Sequence, residues 1–313
     1  MDWNKKTAFF KTASIFLLVC AVLFPVGRFF ILRDLTDPQT GVFLKNSFWA
    51  TLFDYLFFAL IVFFFVLTTV FRPRFLSPEE QTEKLHPPVS FMQNGKLTAG
   101  SELVFSPNGS VRVFASAFLG FSLITFSVFI ISESVPETPL DWAEQVLAIL
   151  SGVFFLAQYS RLLPFYSARR ALASLVPLVW ATVKLFNCFL TASRNPTGEN
   201  QNWQILSLAL IAVFLYAQSQ FNLPKRSTYH YGLLFFSGML GLCAILTYTL
   251  PILVLFAFPA SPYDAYSRIP SVHDLIVQIA SAFYLGAYAF SSAQRLGRYT
   301  DERALCDPGE FSD

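Results

Sequence analysis

Eight apolar runs, each of roughly twenty residues, take up most of this chain: 12–32, 48–71, 113–132, 142–162, 171–192, 203–221, 232–258 and 272–293. About 20 such residues are what an α-helix needs to cross a hydrocarbon layer ~30 Å thick. Inside that layer no water is present to bond the backbone, so each run must satisfy its own N–H and C=O groups and can only be helical. This one feature removes most fold classes. The chain is expected to be all-α, a polytopic transmembrane helical bundle of about eight spans. Composition agrees, because only 13% of the 313 residues are charged, about half the ~25% typical of soluble domains. The fourth and eighth runs are the least apolar, carrying Glu144 and Gln158, and Asp274 and Gln278.

Charge asymmetry sets the expected orientation. With the N-terminus cytoplasmic, sixteen lysines and arginines fall in inner segments and four, Arg33, Lys45, Arg194 and Arg268, in outer ones. Positive residues concentrate on the cytoplasmic side, so both termini are expected there. Dropping any one span would reverse every later segment and spoil the bias, which supports the fourth and eighth. Lys5, Lys6 and Lys11 ahead of an apolar run imitate a leader, but the run continues to Leu32 and suits a first span instead. Residues 1–313 then form a single integral membrane domain, with a cytoplasmic loop at 72–111 and a cytoplasmic tail at 294–313.

The loop contains Pro73, Pro78, Pro87, Pro88 and Pro107. Its segment 89–98 carries Asn94-Gly95, the pair that suits a two-residue type I′ hairpin turn; a linker without structure is the alternative. Overall the chain is similar to multi-pass proteins of bacterial plasma membranes, and no motif ties it to one family. Its first partner is the lipid bilayer. A net charge of +2 is too small to point to nucleic acid.

Catalytic chemistry finds little to work with. Cys20, Cys188, Cys243 and Cys306 show no C-x-x-C spacing, and three lie in apolar runs, where cysteine behaves as a small hydrophobe. His86, His230 and His273 stand alone, and no nucleophile elbow, phosphate loop or dinucleotide fingerprint is present. No catalytic residue, metal or cofactor is expected. A membrane enzyme acting on lipid-linked substrates is the least favoured reading.

Ionisable residues within spans are the informative ones. A charge at the helix centre costs about 2.5–3.5 kcal/mol on insertion scales, so such residues face the bundle interior. At about 1.5 Å per residue, Arg28, Asp54 and Lys184 lie roughly 6, 9 and 12 Å below the outer end of their spans. Glu144 and Asp274 lie shallower on the same side, and Asn187 and Gln278 add neutral polar groups. Together these residues predict an outward-facing polar vestibule with Lys184 at its floor and Asp54 as its partner. Arg28 would make the site positive and favour a small anionic or zwitterionic solute. The competing expectation is a fixed Arg28–Asp54 staple, with Lys184 paired elsewhere for structural reasons.

In the inner half, Gln158 and Gln218 occupy matching positions of the fourth and sixth spans and predict helix adhesion or an inner gate. With an offset of 60 residues these spans also share Leu150/Leu210, Val153/Val213, Phe154/Phe214 and Ala157/Ala217, the trace of a duplicated hairpin. Pro177 and Pro251 are expected to kink their spans, and Gly232, Gly238 and Gly241 to let helices pack closely. Three functions remain in play. The favoured one is a small-solute transporter or binding protein. The others are a membrane-embedded sensor or accessory subunit, meeting a partner through the 72–111 loop, and the lipid-linked enzyme.

Overall fold

A computed structural model describes residues 3–35, 48–70, 91–93, 96–98, 110–133, 136–158, 168–194, 199–221, 229–257 and 272–305. Among them are α1 (Trp3–Asp34), α2 (Phe48–Val70), β1 (Phe91–Gln93), β2 (Lys96–Thr98), α3 (Ser110–Glu133), α4 (Pro139–Ala157), α5 (Ala168–Ala173), α6 (Leu175–Arg194), α7 (Glu199–Phe221), α8 (Tyr229–Ala257) and α9 (Val272–Leu305). The protein is a helical transmembrane bundle. Seven of these helices are long and apolar enough to cross a membrane by themselves, and α9 is the eighth long helix.

Six helices close into a ring, each packed on the next in the order α3, α4, α6, α7, α8, α9 and back to α3. Helix α1 lies outside against α8 and α9, and α2 rests mainly on α8. Helix α8 is therefore the most enclosed and α2 the most peripheral. The membrane face of α2 is almost wholly aromatic and aliphatic, with Phe58, Phe63 and Phe65 exposed to the apolar surroundings.

The lower apolarity of α9 follows from its place in the ring. Leu275, Gln278, Ala280, Ser281, Tyr284, Leu285 and Ala289 are all buried in protein, so they are selected for packing and hydrogen bonding rather than for lipid contact. Close helix approach is seen at two places. A Cβ on Gly152 would lie 2.7 Å from the carbonyl oxygen of Gly120, and one on Gly120 would lie 2.8 Å from that of Gly152. Helices α3 and α4 thus touch backbone to backbone, the usual role of small residues between membrane helices. At Gly238 and Gly241 of α8 the close neighbours are instead side chains, those of Ala289, Phe214 and Leu285; the surroundings of Gly232 lie outside what is described.

Proline interrupts the fifth apolar run, and the break falls one turn before it. Pro177 sits in the first turn of α6, where its missing N–H breaks no helical bond. The interruption falls just before it, at Ser174 between α5 and α6. Pro177 has no N–H to donate to the carbonyl of Ala173, which is where α5 ends. Pro25 and Pro251 are carried inside continuous helices. Strands β1 and β2 pair antiparallel, Phe91 opposite Thr98 and Gln93 opposite Lys96; the expected turn at Asn94-Gly95 lies outside the described residues.

Candidate functional site: two ion-pair clusters and a tyrosine–glutamine knot

Helix α4 begins with Thr138 as N-cap and Pro139 in its first turn. The Thr138 hydroxyl accepts from the Asp141 amide, and the Asp141 carboxylate accepts from the Thr138 amide. This reciprocal cap fixes Asp141 at the helix mouth and, one turn on, aims Glu144 into the ring. There Lys184 of α6 donates to Glu144 Oε1 at 2.9 Å and to Asp274 Oδ1 of α9 at 2.7 Å. Asn187, one turn after Lys184, donates at 2.8 Å to both Asp141 Oδ1 and Glu144 Oε2. Three helices are thereby joined by one ammonium and one amide, with the Lys184 side chain 14% exposed. Charged hydrogen bonds of this length are the strong kind.

Beside the triad lies a cavity of about 20 Å³, bordered by α3, α4, α6 and α9, with Glu144, Lys184, His273 and Asp274 on its wall. That is room for about one water molecule. The His273 ring sits 5.1 Å from Phe126 and 4.6 Å from Phe129.

The second cluster joins α1, α2 and α7. Arg28 is wholly buried, its guanidinium 4.8 Å over the Trp203 ring and 3.8 Å from Asp54 Oδ1. The Trp203 indole N–H donates to the same carboxylate oxygen at 3.0 Å. This corrects the expected Lys184–Asp54 pairing. Asp54 belongs to Arg28 and Trp203, whereas Lys184 is satisfied by Glu144 and Asp274. Depth along each run does not decide partners; helix neighbourhood does, and α2 makes no substantial contact with α6. Buried Tyr248 of α8 lies within electrostatic reach of both clusters, of Arg28 and of Lys184 and Asp274.

Toward the opposite end of the ring lies a third polar group. Gln218 of α7 donates to the Tyr284 hydroxyl at 2.6 Å, and that hydroxyl donates to Gln158 Oε1 at 3.0 Å. The Gln158 amide in turn donates to the Tyr288 hydroxyl. Ser116 of α3 reaches the Phe155 carbonyl oxygen at 2.6 Å and Gln158 Oε1 at 3.3 Å. Arg170 bonds the Gln158 carbonyl oxygen at 2.8 Å, and the Arg112 guanidinium lies 5.0 Å over the Tyr288 ring. The two glutamines that match at an offset of 60 residues thus grip the same tyrosine from opposite sides. Phe154 and Phe214 are likewise both buried and Val153 and Val213 both exposed, whereas Leu150 is exposed and Leu210 buried.

Between triad and knot sits Gln278, 1% exposed. Its Oε1 accepts from Ser207 at 3.3 Å, and its Nε2 finds no hydrogen-bond partner among the described residues.

Of the seven residues singled out for an outward site, the structure gathers Lys184, Glu144, Asp274 and Asn187 into one cluster. It sets Gln278 one turn away and places Arg28 and Asp54 in another cluster. Asp141, Trp203, Tyr284 and Tyr288 were not anticipated. The tyrosines had a readable signal: Asp274, Gln278, Ser281, Tyr284 and Tyr288 recur every three or four residues, one face of a helix. Among the described residues no group of three or more His, Cys, Asp or Glu side chains could hold a metal ion. No protein-family model, curated protein or solved structure matches the chain.

Proposed function

We propose that this bundle binds and moves a small solute at an outward-facing polar site built on Lys184, Glu144 and Asp274. The observation that carries this reading is the triad itself, a lysine clasped by carboxylates from two other helices beside a small cavity. An ionisable cluster inside a membrane bundle is costly and marks solute and ion pathways. The charge bias of the segments puts this end of the ring outside and the Gln158–Tyr284–Gln218 knot inside, where it serves as inner gate.

The class of solute follows from charge. An anionic solute was attractive only while Arg28 belonged to the site. Within the triad two carboxylates face one ammonium, with Asp141 close by through Asn187. This excess favours a small cation, or a zwitterion presenting its amine. A solute amine can take over the bonds that Lys184 makes to Glu144 and Asp274, freeing the lysine to swing aside.

The test is thermal stabilisation of purified protein by sodium, potassium, methylammonium, glycine and acetate. At least one of the cations or glycine should raise the melting temperature of the wild type and not that of the double variant Glu144→Gln, Asp274→Asn; acetate should do nothing. If none of the five raises the wild-type value, or if the double variant responds equally, the reading fails. A second reading, an accessory subunit contacting a partner through the 72–111 loop, draws on the hairpin folded within it. Deleting 80–107 should leave solute response intact under the first reading and abolish the cellular phenotype under the second.

A further inference from the structure

We propose that the groove between α3 and α9, at the knot end of the ring, holds one anionic phospholipid. Its phosphate sits on Arg112, and an acyl chain follows Phe114, Phe118, Phe121 and Phe283. The site shares no residue with the triad, so it stands or falls apart from the solute reading.

The cation comes first. Arg112 lies in the first turn of α3 and is only 4% exposed. Its guanidinium rests 5.0 Å over the Tyr288 ring of α9. Its Nε is enclosed and meets no hydrogen-bond partner among the described residues, and the ring is the one partner described for the guanidinium. A ring face returns about 0.5–2 kcal/mol, whereas a buried ion costs several kcal/mol unless it is paired and hydrogen-bonded. Two nearby arginines give the contrast. Arg170 donates to the Gln158 carbonyl oxygen, and Arg169 is exposed. The acidic residues of α9 on either side of Tyr288 are Asp274 and Asp301, each roughly 20 Å away along the helix. Arg112 thus faces into protein at a place that lacks an anion.

The level and the apolar surroundings make that anion a lipid phosphate. Arg112 immediately precedes the apolar run that begins at Val113, the level at which headgroups meet hydrocarbon. Phe114, Phe118 and Phe121 follow at the i, i+4, i+7 spacing of one helix face, and all three are exposed on the outside of the ring. Phe283 of α9 joins them, its ring 6.0 Å from that of Phe114 and edge-on to it, while Phe114 stacks on Phe118 at 6.3 Å. The two helices run antiparallel, so Arg112 and Tyr288 mark the head of the groove and Phe114 and Phe283 the start of its apolar part. From Arg112 to Phe121 is about 14 Å of helix, close to half of a hydrocarbon layer ~30 Å thick. The stripe therefore runs the depth of one leaflet. A phosphate accepts two parallel charge-assisted bonds from one guanidinium, and basic pockets between membrane helices hold lipid headgroups in this way. A phospholipid supplies both head and tail at this spacing, and a free phosphate supplies only the first. The remaining source of negative charge by sequence is the segment leading into α3, with Glu79, Glu80, Glu83 and Glu102. That segment brings no acyl chain for the stripe.

The experiment uses purified full-length protein stripped of lipid in a neutral detergent. Dioleoyl phosphatidylglycerol, dioleoyl phosphatidylcholine and inorganic phosphate are added separately. The readouts are the melting temperature and the number of lipids retained in native mass spectrometry. The wild type should retain one phosphatidylglycerol and bind it at least tenfold more tightly than phosphatidylcholine; inorganic phosphate should leave the melting temperature unchanged. Arg112→Gln should cut that preference below twofold, and Arg169→Gln should keep it. The double variant Phe118→Ala, Phe283→Ala should weaken both lipids severalfold and leave their ratio as it is. Equal binding of the two lipids by the wild type overturns the site, and this arm needs no variant should Arg112→Gln not fold. A preference kept in Arg112→Gln, or lost equally in Arg169→Gln, overturns it as well. Full affinity in the phenylalanine variant overturns the acyl-chain path. Three outcomes overturn the lipid assignment by naming another occupant. Stabilisation by inorganic phosphate equal to that by phosphatidylglycerol means a free anion. A preference that emerges only when 80–107 is deleted means a carboxylate of that segment. Stabilisation that follows protein concentration instead of lipid means a second copy of the chain.

Discussion

Replacing Lys184 by methionine isolates what the triad contributes. The ammonium lies 2.9 Å from Glu144 and 2.7 Å from Asp274, and at an effective dielectric of ~20 each attraction is about 6 kcal/mol before desolvation is charged against it. The net loss must be smaller, because the carboxylate that the ammonium neutralised can take up a proton instead. That costs about 1.4 kcal/mol for each pH unit above ~4, or about 4 kcal/mol at neutral pH. Deleting one partner of a buried pair costs about 3–5 kcal/mol by experience, and the two figures agree. In the variant the folded bundle must hold a proton that the unfolded chain would release, so the loss grows as pH rises. We expect about 3–5 kcal/mol near pH 7.5, falling by about 1.4 kcal/mol per unit toward pH 5.5, read by detergent-driven unfolding at both pH values. The triple change Lys184→Met, Glu144→Gln, Asp274→Asn should restore most of the stability and remove the slope, since no charge is left to bury. A Lys184→Met loss that is absent, or that grows on acidification, refutes the claim that carboxylates hold this lysine inside the ring.

Two further outcomes check the rest of the architecture. Gly152→Leu places side-chain atoms where the Gly120 carbonyl oxygen already stands 2.7 Å from a Cβ, so α3 and α4 must separate, at a cost of about 1–3 kcal/mol; an unchanged melting temperature would mean these backbones do not touch. Arg28→Met removes a guanidinium stacked on Trp203 but leaves Asp54, whose side chain is 40% exposed, able to find water. The loss should be about 1–2 kcal/mol with little pH slope, and it should add to that of Lys184→Met because no hydrogen bond or ion pair described here joins the clusters; strong non-additivity in a double-mutant cycle would show one cluster where two are described.

Much of the frame was legible because bilayer physics acts on single segments. Run length dictates helix, and helix ends such as Phe48 and Val272 fall where the apolar runs begin. Position along each run was legible too, and it set Lys184 toward the same end as Glu144 and Asp274, with those two expected shallower. Pairing was not, because it depends on which helices are neighbours in the ring, and nothing in the residues of α2 or α6 states that they are apart. Asp141 was hidden for a related reason. Read along the chain it belongs to a polar loop, and only the Thr138 cap turns it toward Asn187.

The least apolar helix proves to be the most informative one. Helix α9 is the weakest span by composition because one of its faces is spent on polar groups, and that face meets Lys184, Ser207, Gln158 and Gln218 in succession. Lipid-facing α2 can be uniformly apolar because it makes few such contacts. A polar residue on α9 is therefore placed by its partners across the ring, and its burial is costly unless those partners are present. Helix adhesion alone would be served by one or two such bonds at about 0.6–2 kcal/mol each. A stripe that runs from the triad to the knot, with one buried amide nitrogen unpartnered among the described residues at its middle, is more than adhesion requires, and that surplus is the physical ground for reading the ring as a pathway.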